Sequence, residues 1–355
     1  MKQLPGQPGE DACQPADRPA GPRATVHRVT AEVLESERLP GEHHRLLLRA
    51  PRIAEDASPG QFIHVWCHPP EEIDRPPTSA ILRRPLSISR LRPPDGVEVL
   101  LRVRGVGGRI LAGTPRGAQL DILGPMGRGF RMPPSMRTAL VVAGGIGIAP
   151  VPFLVQRLAA ALIETVVLVG AARDDSLPYH VERTGHQHAT LPGLAALGAE
   201  VTFVSEQVDA ILVSELLERR LPDFDAASTE IMAIGPRAMV KRIAAVAGGR
   251  LPVQVSLEER MACGLGACRS CVVPVTPHSN RPIGPGTAGF SLPEGLPPGP
   301  NRPTCPAGPT LDSSTPLGPD ALAKGTRLFA PSYHTVCHDG PVFYSSEIDW
   351  EHLDP

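Results

Sequence analysis

Ala139-Leu-Val-Val-Ala-Gly-Gly-Ile-Gly-Ile-Ala-Pro150 changes the rhythm of this chain. Its continuous apolar run reads as a strand buried on both faces, since a half-exposed strand would alternate. The glycines after it read as a turn, and Val151 to Leu162 as a helix. The same rhythm continues with strands Thr165–Gly170, Glu200–Val204 and Glu230–Gly235, and with helices near Ile211–Leu217 and Ala238–Ala244. Apolar strands alternating with helices predict a parallel sheet, placed at residues 136–250. Gly144, Gly145 and Gly147 then form a turn at a helix start that a dinucleotide phosphate can approach closely. Gly235 and Pro236 follow a later strand of the same sheet, so both loops are expected on its carboxyl edge.

Upstream, residues 25–135 alternate in short runs. Val26–Val29, His44–Leu48, Gln61–Trp66, Leu86–Ser89 and Val97–Val103 are the clearest strands, and no helical period competes before about residue 105. This pattern predicts an antiparallel barrel. Arg83-Arg84-Pro85-Leu86-Ser87 enters one of its strands, where a guanidinium can pair with phosphate and Ser87 can hydrogen-bond a ring system. Arg102-Val-Arg-Gly-Val-Gly-Gly108 reads as a glycine-rich turn ahead of a short helix, with N–H groups suited to a pyrophosphate.

Downstream, Cys263-Gly-Leu-Gly-Ala-Cys268-Arg-Ser-Cys271 has the C-x4-C-x2-C spacing of plant-type [2Fe-2S] ligation, and Cys337 supplies a distant fourth thiol. Four thiolates also suit tetrahedral zinc, which stays open as the alternative. The odd total of seven cysteines argues against a disulfide framework. Cys305 is a weaker candidate for the fourth ligand. Cys13 and Cys67 read as plain thiols. His338, beside Cys337, reads as a solvated or supporting group rather than a Rieske-type ligand, since such centres use two histidines. Glu258, Glu259 and Arg260 read as a solvated helix face with a possible docking role.

Composition narrows the function classes. The 355-residue chain has room for two or three domains, with 41% hydrophobic residues to fill their cores. A formal charge of -2 and 4% aromatics provide neither the basic field nor the stacking platforms of a nucleic-acid binder. No apolar run approaches the roughly 18 residues that span a bilayer, and no signal peptide opens the chain, so the cytoplasm is expected. The 42 prolines concentrate at residues 1–24, read as a disordered tail, and at 276–331, between the third and fourth thiols.

Taken together, Arg84-Pro-Leu-Ser87, Gly144-Gly-Ile-Gly-Ile-Ala-Pro150, Gly235-Pro236, the segment Ser256–Pro274 and Val336-Cys-His-Asp-Gly-Pro-Val-Phe343 resemble a known family. It is that of the electron-transfer subunits of NAD-dependent dihydroorotate dehydrogenases, within the ferredoxin-NADP reductase superfamily. The resemblance runs from about Val26 to Trp350, apart from the Pro/Gly-rich insert. It implies an α+β multidomain chain: a flavin barrel at 25–135, a nicotinamide domain at 136–250 and a small [2Fe-2S] domain at 251–355. It implies FAD contacts at Arg84, Pro85, Leu86 and Ser87, at Leu100, Leu101 and Arg102, and at Gly107 and Gly108. It also implies cluster ligation by Cys263, Cys268, Cys271 and Cys337.

By the resemblance, a catalytic partner holding FMN oxidises dihydroorotate to orotate in pyrimidine (UMP) biosynthesis. Electrons pass through the cluster and FAD to NAD+, in an assembly of two plus two subunits, and this chain alone is a diaphorase. Other readings are an NAD(P)H-dependent reductase subunit for a hydrogenase or another ferredoxin-linked partner, and a zinc or iron-sulfur interaction module without redox activity. Three positions depart from the family pattern. Gly108 stands for a usual Thr, Ile234 for a frequent Cys, and the span from Cys271 to Cys337 far exceeds the family's short hairpin. Loop closure costs only about 0.6 kcal/mol per doubling of length, so a cluster can tolerate the insertion. NAD against NADP is balanced between Arg173, suited to a 2'-phosphate, and Asp174 and Asp175, which would repel one; the resemblance favours NAD.

Overall fold

In the computed structural model, residues 25–68, 80–184, 188–276 and 332–353 are described. The expected tail at 1–24, nearly all of the insert at 276–331, Cys13 and Cys305 lie outside them. Strands β1 (His27–Leu39), β2 (His43–Arg49), β3 (Phe62–Val65), β4 (Arg84–Arg92), β5 (Gly96–Arg102) and β6 (Gln119–Met126) close into a barrel in the order β1-β2-β5-β4-β3-β6. All its pairings are antiparallel. Alternation sets which side chains fill it: Leu46 and Leu48, Val97 and Val99, and Leu120 and Ile122 point inward and are buried.

Two parts of the barrel depart from the sequence expectation. Pro51–Asp56 forms a helix well before residue 105, started by a proline at its first position. Strand β6 was not legible, because Asp121 sits in its interior. The structure compensates that buried carboxylate with two guanidiniums: Arg28 reaches it at 2.8 Å from β1, and Arg83 pairs with it from the segment before β4.

The second layer is built from β7 (Thr138–Gly144), β8 (Glu164–Ala171), β9 (Glu182–Thr184), β10 (His188–Thr190), β11 (Glu200–Ser205), β12 (Thr229–Ile234) and β13 (Val253–Ser256). The chain then forms a ribbon of β14 (Val272–Val275) with β15 (Ser332–Thr335), and returns as β16 (Val342–Tyr344). The resulting eight-stranded sheet has the order β16-β13-β12-β7-β8-β11-β10-β9. From β13 to β11 the strands run parallel; β9, β10 and β16 are antiparallel at the edges, so the sheet is mixed rather than purely parallel. The sheet also runs across residue 250, the boundary expected between the second and third units.

Both faces of this sheet are covered, which explains the unbroken apolar runs. In β7, Leu140 and Val142 enter a core with helices Val213–Arg220 and Arg237–Ala247, while Ala139 and Val141 enter another with helix Val151–Ala160. Phe153 of that last helix belongs to the barrel's core, so one side chain ties the two layers. The first core also takes in Val273, Val275, Val336 and Phe343, so the cysteine-bearing segment packs directly on the sheet.

At the carboxyl ends of β8 and β11, Arg183 forms a bidentate pair with Asp174 at 2.6 and 2.8 Å and a second with Asp209 at 3.0 Å. Asp209 in turn accepts the Ser205 N–H at 2.7 Å. The Arg183 hydrogen bonds hold the Asp174 carboxyl below its ordinary value. Arg183→Met leaves two crowded carboxylates without their cation and is expected to lower unfolding stability by about 1–2 kcal/mol at pH 7, allowing for partial exposure. A carboxyl with a depressed folded pKa stabilises above its unfolded value and loses that contribution as pH falls. The gap between wild type and variant in urea titrations should therefore narrow on acidification.

Candidate functional site

A cleft of about 690 Å³ opens where barrel and sheet meet. One wall is the start of β4, with Arg83 to Ser87; another is the end of β5, with Leu100 to Arg102. Gly108, Ile146, Gly147 and Ile234 continue the lining, and Ser256 to Met261 complete it. The cleft thus gathers Arg84 to Ser87, Leu100 to Arg102, Gly108 and Gly147, whereas Gly107, Gly144, Gly145, Gly235 and Pro236 are not part of its lining.

Local chemistry assigns these residues different parts. Arg83 is not available to a phosphate: it is mostly buried, donates to Asp121 O at 2.9 Å and is ion-paired to the Asp121 carboxylate. Arg84 instead stands exposed at the cleft, its guanidinium crossing Gly107 and touching Cys67. Burial raises the Cys67 thiol pKa, although Arg84 works against it, which leaves Cys67 a protonated packing thiol. The glycine-rich segment is itself helical, Gly105–Ala112, so Gly107 and Gly108 lie near the start of the helix rather than in a turn before it. No side chain caps that end, which leaves its first N–H groups for a ligand. A Cβ on Gly108 would meet nothing nearer than 3.6 Å, so the missing threonine leaves space without altering the backbone.

On the sheet side, Gly145 takes a left-handed φ of +54°, and Gly147 lies against the next loop. A Cβ on Gly147 would stand 2.5 Å from Ile234 O and 2.8 Å from Gly235 Cα, so only glycine lets the two loops touch. Gly144 packs toward Met239 and Pro236, behind the turn. Ile234 is buried and lines the cleft at the position where the superfamily often has a cysteine. Glu258, Glu259 and Arg260 are not a solvated helix face: they lie outside any helix or strand, all three line the cleft, and Glu259 is ion-paired to Arg237. Desolvation in the cleft wall raises the Glu258 carboxyl pKa although its side chain reaches solvent.

Met261 leads from the cleft into the cysteine loop. Cys337 reaches that loop through the β14–β15 ribbon, in which Val272 pairs with Thr335 and the Val336 N–H donates to Cys271 O at 2.8 Å. The thiols stand as two pairs, Cys268 in contact with Cys263 and Cys271 with Cys337. Backbone N–H groups point at the sulfurs: Leu265 and Cys268 at Cys263 Sγ (3.3 and 3.4 Å), and Gly266 at Cys337 Sγ (3.1 Å). The Ser270 hydroxyl, chiefly, lowers Cys268 to about 6, and the Cys337 thiol lowers Cys271 to about 6 while Cys337 itself is raised. Among the described residues no group of three or more His, Cys, Asp or Glu is gathered to hold a metal ion. Two thiol pairs with N–H donors on their sulfurs fit a two-iron core, with two thiolates per iron, better than one tetrahedral ion.

His338 Nδ1 meets Asp339 Oδ1 at 3.1 Å, and its Cβ packs beside Gly266, so it supports the loop. Burial pushes the Asp339 carboxyl up, but hydrogen bonds from His334 and from the Thr335 N–H and hydroxyl outweigh this and hold it well below the carboxylate range. Sequence reasoning missed His64 of β3, which is fully buried against Gly264. Burial, then the Arg83 charge, lowers it to about 4, so it is neutral near pH 7. Nothing in its alternating strand marks it out.

Residues 258–283 match the family model described as the iron-sulfur cluster binding domain of dihydroorotate dehydrogenase B. The electron transfer subunit of dihydroorotate dehydrogenase B (NAD(+)) from Desulforamulus reducens is 39% identical over 236 residues, 64% of this chain and 82% of the relative. That of Geobacillus thermodenitrificans is 33% identical over 253 residues, 70% and 89% respectively. In fold, the chain is similar to an NADH-dependent reduced ferredoxin-NADP oxidoreductase, with TM-score 0.62 and 18% identity over 92% of this chain and 91% of the other. It is also similar to a Neisseria gonorrhoeae ferredoxin NADP+ reductase solved with FAD and NADP, with TM-score 0.51 and 16% identity over 63% and 92%. The barrel, the mixed sheet, the paired thiols and these relatives agree: the chain belongs to the family of electron transfer subunits of NAD(+)-dependent dihydroorotate dehydrogenase B.

Proposed function

We propose that this chain carries electrons from an FMN-containing dihydroorotate dehydrogenase catalytic subunit to NAD+, using [2Fe-2S] and FAD. The observation that carries this reading is one cleft that runs from the Arg84–Ser87 wall, past Gly147, to Ser256–Met261, the segment that leads directly into the cysteine loop. When bound there, a flavin supplies the exchange of one or two electrons that joins a one-electron cluster to a two-electron nicotinamide. Residues 25–135 serve the flavin, 136–250 the nicotinamide and 251–355 the cluster, with β13 and β16 lending their strands to the nicotinamide sheet. Arg84 and the first N–H groups of Gly105–Ala112 meet flavin phosphates, while Pro85 to Ser87 and Leu100 to Arg102 frame the ring system.

Gly144, Gly145, Gly147, Gly235 and Pro236 shape the nicotinamide edge. Arg173, just after β8, and Arg183, paired to carboxylates that follow β8 and β11, already hold carboxylate partners, which favours NAD over NADP. Cys263, Cys268, Cys271 and Cys337 hold the cluster. No side chain here is assigned to dihydroorotate, whose oxidation belongs to the partner in a two-plus-two assembly. Among the described residues no helix is long and apolar enough to cross a membrane, and the cytoplasm is the proposed site of action.

Anaerobic reconstitution should yield flavin bands together with a rhombic S = 1/2 signal after dithionite reduction. With the catalytic subunit added, dihydroorotate should reduce NAD+. Cys271→Ser should abolish that coupled reaction while sparing NADH-dependent dye reduction; a colourless, zinc-containing chain would sink the reading. Gly147→Ala forces Ile234 and Gly235 away, so kcat/KM for NADH is expected to fall at least about 10-fold, near 1.4 kcal/mol. Its flavin content should match wild type.

A further inference from the structure

His64 lies within β3, and its side chain is fully buried. The imidazole presses on the cysteine loop: a Cβ on Gly264 would stand 2.6 Å from both Cε1 and Nδ1. Gly264 directly follows Cys263, and its φ of +72° together with its lack of a side chain allows the ring so close. Phe62 meets the ring edge-on with centroids 5.8 Å apart, and Met126 packs on the same glycine. Neither His64 nitrogen has a hydrogen-bond partner among the described residues.

A neutral imidazole carries one N–H donor and one acceptor nitrogen. Leaving such groups buried and unpaired is unfavourable, and an apolar side chain would fill the same space without that penalty. The orphaned ring edge abuts the loop whose sulfurs already collect N–H donors from Leu265, Gly266 and Cys268. We propose that His64 is a positioning residue for the iron-sulfur centre, donating its imidazole N–H from the barrel to a cluster or cysteine sulfur. This rests on the reading that Cys263, Cys268, Cys271 and Cys337 hold a [2Fe-2S] cluster. Reduction adds negative charge that the sulfurs share, so a donor on sulfur stabilises the reduced form more than the oxidised one and raises the potential. His64 also joins the flavin barrel to the cluster loop mechanically.

The test uses the full-length chain, reconstituted anaerobically as wild type, His64→Phe and His64→Gln, with redox titration of the cluster followed by EPR. The phenylalanine variant should show a lower cluster potential, and the glutamine variant, which keeps an N–H, should lie between it and wild type. Pulsed EPR of reduced wild type labelled with ¹⁵N-histidine should show a coupled imidazole nitrogen that disappears in His64→Gln. An unchanged potential in His64→Phe, or no histidine coupling in wild type, overturns the assignment. Should His64→Phe fail to fold, the labelled wild type and the glutamine variant decide by the same coupling. A wild-type chain that assembles no cluster overturns the cluster reading and this assignment with it. An intact cluster that ignores His64 overturns this assignment alone.

Discussion

The pairing of β14 with β15 is the constraint on which the site depends. Cys271 ends the cysteine loop and Cys337 follows the returning strand, and the two become neighbours only because Val272 to Val275 bond across to Ser332 to Thr335. Beneath that ribbon Val273, Val275, Val336 and Phe343 are buried in the core on one face of the main sheet. Sheet burial thus fixes the thiols, and the long segment between them leaves from the ribbon's far end. Because closure entropy grows only logarithmically with loop length, a few hydrogen bonds and a shared apolar core can hold such a ribbon together.

A second constraint is the close approach of backbone to backbone at the cleft. Gly147 against Ile234 and Gly235 lets two sheet loops meet, and Gly264 against His64 lets the cysteine loop reach the barrel. Side chains at these glycines would hold the elements apart. Phe153, planted in the barrel core from a helix of the sheet layer, keeps the two layers in register. Arg84 to Ser87, Leu100 to Arg102, Gly147 and Ser256 to Met261 consequently line one cavity, and the cysteine loop follows Met261 in the chain.

The charges are arranged with equal economy. Of the adjacent arginines, Arg83 is spent inside the barrel on Asp121 and Arg84 remains at the cleft. Arg173 and Arg183 are paired with carboxylates just beyond the carboxyl ends of β8 and β11, and Glu259 with Arg237 beside the cleft. Which cation meets a ligand is therefore decided by which carboxylates fold next to it.

Much of this was legible in the residues. The apolar run at Ala139–Ala143, the alternation of the barrel strands and the spacing of Cys263, Cys268 and Cys271 are local patterns, set by the periods of strand and helix and by the reach of one tight loop. Other features were not legible. Strand β6 was hidden by Asp121, whose partners come from distant segments; the charged run 258–260 read as a helix face but lines the cleft; β13 and β16 looked like part of a separate unit but complete the main sheet. His64 carried no signal, because its role depends on Gly264 arriving from the other end of the chain. The sequence by itself determined the strand and helix rhythm, the ligand types and the loop glycines, since these depend on neighbours within a few residues. Only the tertiary structure decided which arginine faces the cleft, how Cys337 reaches Cys271, and what covers His64. Those depend on contacts between segments far apart in the chain, and burial and ion pairing are properties of the assembled neighbourhood.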